Sequence, residues 1–330
     1  MQQSGINLSS SELPSDKILL SIVVPSYNEE EVLTEFHKRI SEVLDSIPID
    51  AEIIYVNDGS NDNSLTIMRN LRESDPRIAI VDLSRNFGKE IAMTAGLDHA
   101  SGDAVVIIDA DLQHPPELIP KMLKNWMEGY DIVYATMVSR VGENAIKRAA
   151  KRAYYRLVQS ISSVNIPENA GDYRLLSRRA VDSVKQLKEK HRFMKGLFSW
   201  IGYPQISIPY QPDRRHAGRT KWSFLDLWNL AIEGITSFTI VPLKIATYIG
   251  ILTAFVAFTY AVYIIFKKLM FGEPVPGYPS IMVMILFLGG IQLITIGIIG
   301  EYLGRVFIET KQRPLYILKT YEPSNSNKER

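Results

Sequence analysis

Val105-Val-Ile-Ile-Asp-Ala-Asp-Leu-Gln-His-Pro-Pro116 joins four β-branched apolar residues to two carboxylates one residue apart. The apolar run has the composition of a buried strand. If that strand continues through Asp109 and Asp111, alternation points both acids the same way and brings like charges together. Such a pair is costly without a cation, and a hard divalent ion with oxygen ligands suits it. The plain alternative is a strand-end turn, with acids ahead of a helix opened by Pro115-Pro116. Asp-x-Asp alone is common by chance, so the surrounding sequence has to decide.

Working outward, Ile18-Leu-Leu-Ser-Ile-Val-Val24 is a second buried-strand run, ended by Pro25. Further strands are predicted at 51–57, 78–83, 104–109 and 132–136, and helices at 29–47, 64–73, 89–99 and 116–128. The first helix carries Val32, Phe36, Ile40, Val43 and Leu44 as one stripe, with acids at its start where the helix dipole favours them. This alternation predicts an α/β fold with a parallel sheet covered on both faces and a ligand site beyond the carboxyl ends of the strands. Four polar clusters fall at those ends: Pro25-Ser-Tyr-Asn-Glu29, Asn57-Asp-Gly-Ser60, Ser84-Arg-Asn-Phe-Gly-Lys89 and Asp109-Ala-Asp111. A dinucleotide-binding dehydrogenase would show G-x-G-x-x-G after its first strand, and the pattern occurs nowhere in the chain.

The 330 residues are 46% hydrophobic, enough for a substantial core. A formal net charge of +1 and the lack of a basic tail argue against a nucleic-acid partner. With no cysteine, disulfides and thiolate metal sites are excluded. Residues 1–17 are polar and serine-rich, without the apolar core of a signal peptide, and read as a flexible N-terminus.

Residues 245–266 and 274–300 carry no charge. At ~1.5 Å per helical residue each can cross a hydrocarbon layer of ~30 Å. Arg214, Arg215, Arg219, Lys221 and Lys244 precede the first span, and Arg305, Lys311, Arg313 and Lys319 follow the second, with only Lys267 and Lys268 between them. This bias predicts an integral membrane protein with the folded domain and both termini cytoplasmic. Trp222 to Thr239, apolar but broken by Asp226 and Glu233, is predicted to form interfacial helices; an ordinary core helix is the alternative. Residues 143–164 read as a helix whose basic face is either solvated or set against anionic lipid. Glycines 289, 290, 297, 300 and 304 suit close helix contact, either in a homo-oligomer, for which a tetramer is one size, or between the two spans. Glu301 is spaced to pair with Arg305.

Taken together, Val24-Pro-Ser-Tyr-Asn-Glu29, Val56-Asn-Asp-Gly-Ser60, Asn86-Phe-Gly-Lys89 and Asp109-Ala-Asp-Leu-Gln-His-Pro-Pro116 resemble family 2 inverting glycosyltransferases of the GT-A fold. The likeness is to the polyprenyl-phosphate enzymes related to dolichyl-phosphate mannose synthase. It continues in order through Asn169-Ala-Gly-Asp-Tyr-Arg174, Arg215-His-Ala-Gly-Arg-Thr-Lys-Trp222 and Gly300-Glu-Tyr-Leu-Gly-Arg305. Two spans after the catalytic domain match the bacterial branch that makes glucosyl or other sugar carriers for envelope polymers.

The resemblance implies a GT-A Rossmann-like catalytic domain at 18–215, an acceptor loop with interfacial helices at 216–242, two transmembrane helices at 243–306, and a cytoplasmic tail at 307–330. It implies that Pro25, Tyr27, Glu29 and Asp58 hold the nucleoside. Asp109 and Asp111 would bind Mg²⁺ or Mn²⁺ and the donor, with Ala110 and Gln113 close by and Arg140 adding positive charge. Arg215, Gly218, Arg219, Thr220 and Lys221 match the loop over the donor diphosphate and acceptor phosphate, so Arg215 and Lys221 join Asp111 and Asp172 among the expected catalytic residues.

Asp172 corresponds to the base that deprotonates the acceptor in family 2 enzymes. A phosphate monoester has a second pKa of ~6 and is already largely anionic, so Asp172 is expected to position it or take a residual proton; a structural pair with Arg174 is the alternative. The implied reaction moves a hexose, glucose from UDP-glucose first, to undecaprenyl (polyprenyl) phosphate. GDP-mannose and UDP-aminoarabinose are the alternative donors. A processive polysaccharide synthase would carry Gln-x-x-Arg-Trp and more spans, and a flippase or scaffold finds no charged residue within either span.

Overall fold

The computed structural model describes residues 18–137, 170–190, 192–211, 241–271 and 277–324. The described chain divides between two units, one built on residues up to 227 and from 313 onward, the other on 228–312.

The first unit is an eight-stranded sheet. Its elements run β1 (Leu19–Ser26), α1 (Leu33–Asp45), β2 (Asp50–Asn57), α2 (Ser64–Ser74), β3 (Ile78–Leu83), α3 (Lys89–His99), β4 (Ala104–Ile107), a 3₁₀ turn at Pro116–Leu118, α4 (Ile119–Met127) and β5 (Ile132–Met137). They continue with β6 (Ala170–Ser177), α5 (Arg178–Gln186), α6 (Met194–Trp200), β7 (Gln205–Tyr210) and, after the second unit, β8 (Leu318–Glu322). The strand order is β7-β5-β6-β4-β1-β2-β3-β8.

Alternation sorts the strand residues between two faces. Leu20, Ile22, Val24, Ile53 and Tyr55 meet Leu33, Phe36 and Ile40 of α1 and Ile119, Met122 and Leu123 of α4 in one core. On the other face α3 approaches so closely that a Cβ at Gly96 would fall 2.2 Å from Val23 Cγ1. Each fully buried aliphatic side chain contributes about 1.5–3 kcal/mol.

The sheet is mixed, which corrects the all-parallel expectation. β1 to β4 are mutually parallel where they pair, but β6 runs antiparallel to both β4 and β5, and β8 antiparallel to β3. None of β6, β7 and β8 is among the strands expected from sequence: Asp172 and Arg174 interrupt β6, β7 is a short alternation that ends in Pro209-Tyr210, and β8 is mostly charged and polar. The first helix is also shorter than expected: Glu29 to Glu31 precede it, and the Glu29 carbonyl accepts from Val32 and Leu33 in the turn that leads in.

β8 covers the β3 edge, whose open amides would otherwise template pairing with another chain. Arg69 Nε bonds Glu322 at 2.9 Å, the Tyr316 hydroxyl donates to Asp98 at 2.9 Å, and the rings of His99 and Tyr321 lie 4.6 Å apart.

The second unit contains α7 (Val241–Phe271) and α8 (Tyr278–Thr310). Leu243–Lys267 and Val283–Thr310 are long and apolar enough to cross a membrane. Arg305 Nε lies 3.3 Å from Glu301 Oε1, the expected pair. A Cβ added at Gly289, Gly290, Gly297, Gly300 or Gly304 would meet nothing within 4 Å, so among the described residues these glycines do not serve contact between the two helices. The helices predicted at 143–164 and 222–239 lie outside the described residues.

Candidate active site

The loops at the carboxyl ends of β1, β2, β3 and β4 are joined in series by side-chain bonds. In the first, Pro25 is buried at the end of β1 and Tyr27 is exposed. Asn28 adopts a left-handed φ of 54°. Its N–H donates to Ser60 Oγ at 3.0 Å, and its Oδ1 accepts from the Asn61 N–H at 2.9 Å. The Glu29 N–H donates to Ser64 Oγ at 2.9 Å, and Glu30 accepts from both the backbone and side-chain amides of Asn63. Tyr27 and Glu29 therefore stand on a ledge fixed to the β2 loop.

The β2 loop is fixed in turn to the β3 loop. Both oxygens of Asp58 accept backbone amides, from Phe87 at 2.7 Å and Gly88 at 2.9 Å. Burial nevertheless raises the Asp58 pKa above the ordinary carboxylate value, against those two amides. The approach needs glycine next door: Gly59 has φ +64°, and a Cβ there would fall 2.3 Å from the Arg85 carbonyl carbon. Gly59→Ala should push the two loops apart and cost about 1–3 kcal/mol, read as a lowered melting temperature of the detergent-solubilised chain.

The third link is Lys89, the first residue of α3. Its ammonium lies 2.7 Å from Asp109 and 2.7 Å from Asp172. The β4–β6 ladder ends with Ile107 opposite Arg174, which brings the loop carrying Asp109 beside the part of β6 that carries Asp172. Lys195 of α6 stands 3.7 Å from the other Asp172 oxygen. Burial opposes the charge on Lys89, but Asp109 and Asp172 outweigh it and hold the ammonium above the ordinary lysine range. Burial likewise opposes ionisation of Asp172, yet Lys89 and Lys195, with Arg174 beyond them, hold its carboxyl well below the usual range. Arg174 is no direct partner of Asp172; it donates to the Gly171 carbonyl at 2.7 Å and lies over the Phe198 ring.

Asp109 and Asp111 do not sit in the strand, which corrects the opening expectation. β4 ends at Ile107, and Leu112 takes a φ of 59° as the chain turns. Asp111 Oδ1 accepts from the Gln113 N–H at 3.1 Å, so a side-chain turn, not strand alternation, sets its position. Ala110 is buried between them. His114 Nδ1 lies 3.5 Å from Asp109 Oδ2, with the Tyr173 ring 5.4 Å away. Gln113 Nε2, His114 Nδ1 and Asp172 Oδ1 are buried without a hydrogen-bond partner among the described residues. Buried polar atoms left so cost about 1–3 kcal/mol each, and two of the three border charged groups here, His114 Nδ1 beside Asp109 and Asp172 Oδ1 beside Lys195.

The donor set fits a divalent cation only in part. Among the described residues no three acidic or histidine groups converge on one point. Two carboxylates completed by substrate phosphates and water are what Mg²⁺ commonly accepts, so Asp109 and Asp111 suit an ion that arrives with a diphosphate. Arg140, Arg215, Gly218, Arg219, Thr220 and Lys221 lie outside the described residues.

Lys89, Glu90, His114 and Lys195 were given no role from sequence. Lys89 ends a polar strand-end cluster, a signal that was present; Lys195 is one lysine in a basic stretch and carries none. Burial, then the charge of Asp172, lifts the Glu90 carboxyl from near 4.5 to about 7, against a hydrogen bond from the Met194 N–H and the charges of Lys195 and Lys89. The folded state thus holds this proton more tightly than the unfolded chain. Stability from Glu90 is full below about pH 4.5, falls as pH rises, and is gone above about 7. Glu90→Gln keeps the acceptor for Met194 and removes the ionisation. It should therefore stabilise the protein at pH 8 by up to about 3 kcal/mol and leave pH 4 unchanged, as thermal melts at the two pH values would report.

Comparison with known proteins matches the family model for glycosyl transferase family 2 to residues 21–185 and that for the GtrB C-terminal hairpin to residues 241–306. A glycosyltransferase of Synechocystis, itself uncharacterized, is 51% identical, covering 91% of this chain and 95% of its own. The bactoprenol glucosyl transferase of Shigella phage SfV is 48% identical over 91% of this chain and 98% of its own. A prophage bactoprenol glucosyl transferase homolog of Escherichia coli is 47% identical with the same coverage.

Proposed function

The chain belongs to glycosyl transferase family 2, and from that premise we propose that it transfers glucose from UDP-glucose, with inversion, to the phosphate of a membrane-held polyprenol such as undecaprenyl phosphate. The observation that carries the reading is Asp109, in the loop after β4, and Asp172 of β6, joined by Lys89 in a chain that also bears two membrane-length apolar helices. A lipid phosphate cannot leave the bilayer surface, so its enzyme has to be held there. The names of the relatives supply the sugar and the lipid.

Tyr27, Glu29 and Asp58 would line the ledge for the nucleoside, and Asp109 and Asp111 would hold the divalent cation. When bound, that ion offsets the charge developing on the diphosphate leaving group. Asp172, kept ionised by two lysines, is a weak base, since a useful base titrates near the working pH. Its task is to orient Lys89 and Lys195 toward the incoming acceptor phosphate, whose oxygen attacks the anomeric carbon as the sugar–diphosphate bond breaks. An α-linked donor then gives a β-linked lipid product without a covalent sugar–enzyme intermediate. Arg215, Arg219 and Lys221 would add charge from the acceptor loop, and Arg140 on the donor side.

Residues after α8 rejoin the catalytic sheet as β8. If α7 and α8 both cross the bilayer, the chain leaves and returns on one side, and the flanking basic residues support the cytoplasmic one. The test is to incubate purified protein in vesicles with undecaprenyl phosphate, Mg²⁺ and a panel of UDP- and GDP-sugars, then identify the lipid by mass spectrometry. A hexose added only from UDP-glucose supports the reading, and no glycolipid from any donor overturns it.

A further inference from the structure

Lys89 is the first residue of α3, where the helix dipole disfavours a cation. Something must compensate for that placement, and the two carboxylates at 2.7 Å do. We propose that Lys89 is a placeholder cation: its ammonium holds Asp109 beside Asp172 and yields Asp109 only when a divalent cation enters together with a nucleoside diphosphate. The inference rests on the donor reading above and adds an order of loading to it.

The charges favour that order. Lys89 and Lys195 together balance Asp109 and Asp172, so a lone divalent cation reaching Asp109 confronts an ammonium already in contact with the same carboxylate. A nucleoside diphosphate brings its own negative charge and removes the conflict. The geometry lets Lys89 move without disturbing the fold. Its backbone is anchored because Asp58 grips the amides of Phe87 and Gly88 just before it. Its four-carbon stem is free, with 44% of the side chain accessible. Released from Asp109, the ammonium still has Asp172 as its partner.

The test reads metal binding without turnover. Full-length protein in detergent is titrated with Mn²⁺, free ion being followed by electron paramagnetic resonance, with and without UDP. Lys89→Gln, which keeps a hydrogen-bond donor between the acids but no charge, should bind Mn²⁺ alone about tenfold or more tighter than the parent. UDP should tighten Mn²⁺ binding strongly in the parent and much less in the variant. Lys89→Arg, still cationic, should behave as the parent; Lys89→Met serves in place of Lys89→Gln should that variant melt early. Equal or weaker Mn²⁺ affinity in the neutral variants overturns the placeholder role. Failure of the donor reading shows separately, as a parent protein whose Mn²⁺ affinity UDP does not alter.

Discussion

Asp172→Asn is expected to lower kcat for sugar transfer by about 10²–10⁴-fold while leaving donor affinity nearly unchanged. The substitution is nearly isosteric, so packing on β6 survives. It removes the charge that fixes Lys89 at 2.7 Å and Lys195 at 3.7 Å, and with it the cationic face offered to the acceptor phosphate. Donor contacts are assigned to the other loops, so the loss should fall on kcat and on the KM for lipid, not on the KM for nucleotide sugar. Full turnover by this variant would remove Asp172 from the chemistry. Because a phosphate acceptor needs little deprotonation, the residual rate of the variant should not rise with pH as it would if a missing base were being replaced by hydroxide.

The second large effect is expected from Asp111→Asn combined with Asp109→Asn. Together they should reduce kcat/KM by about 10³-fold or more, the scale on which loss of a preorganised charge stabiliser is felt. The two acids differ in what else they do. Asp111 also caps the Gln113 amide at 3.1 Å, a bond that an asparagine oxygen keeps, so Asp111→Asn alone should fold normally and lose chiefly metal-dependent activity. Asp109 additionally anchors Lys89, so Asp109→Asn frees that lysine as well as removing a ligand. Steady-state rates for the two single variants and the double would show non-additive losses if both carboxylates grip one ion.

How much of this was legible in the sequence follows from what each segment buries. The strands of β1 to β4 are continuous apolar runs covered on both faces, and periodicity finds such runs. β6 escaped because Asp172 and Arg174 interrupt it: one faces the site and the other is buried against Phe198, so neither carries the apolar signal that marks a strand. β8 escaped because it is an exposed edge of charged and polar residues, Leu-Lys-Thr-Tyr-Glu, whose partner strand lies more than two hundred positions earlier.

The site was visible as residue types at strand ends, but not as connections. That Asp58 spends both oxygens on the loop of Phe87 and Gly88, or that Lys89 spans Asp109 and Asp172, depends on strand order and register. The expectation that Asp109 and Asp111 align by strand alternation does not hold, because β4 ends before them. The turn at Leu112, the alternative that Pro115-Pro116 suggested, is what sets them.

If acids at the ends of these strands grip a cation carrying an activated sugar's diphosphate, calorimetric titration of the purified chain with UDP-glucose, in Mn²⁺ and then in excess chelator, should show tight binding with the metal and at least about tenfold weaker binding without it. That metal dependence should vanish once Asp109 and Asp111 are both asparagine. Equal affinity in chelator, or metal dependence that survives loss of both acids, would rule out such a grip.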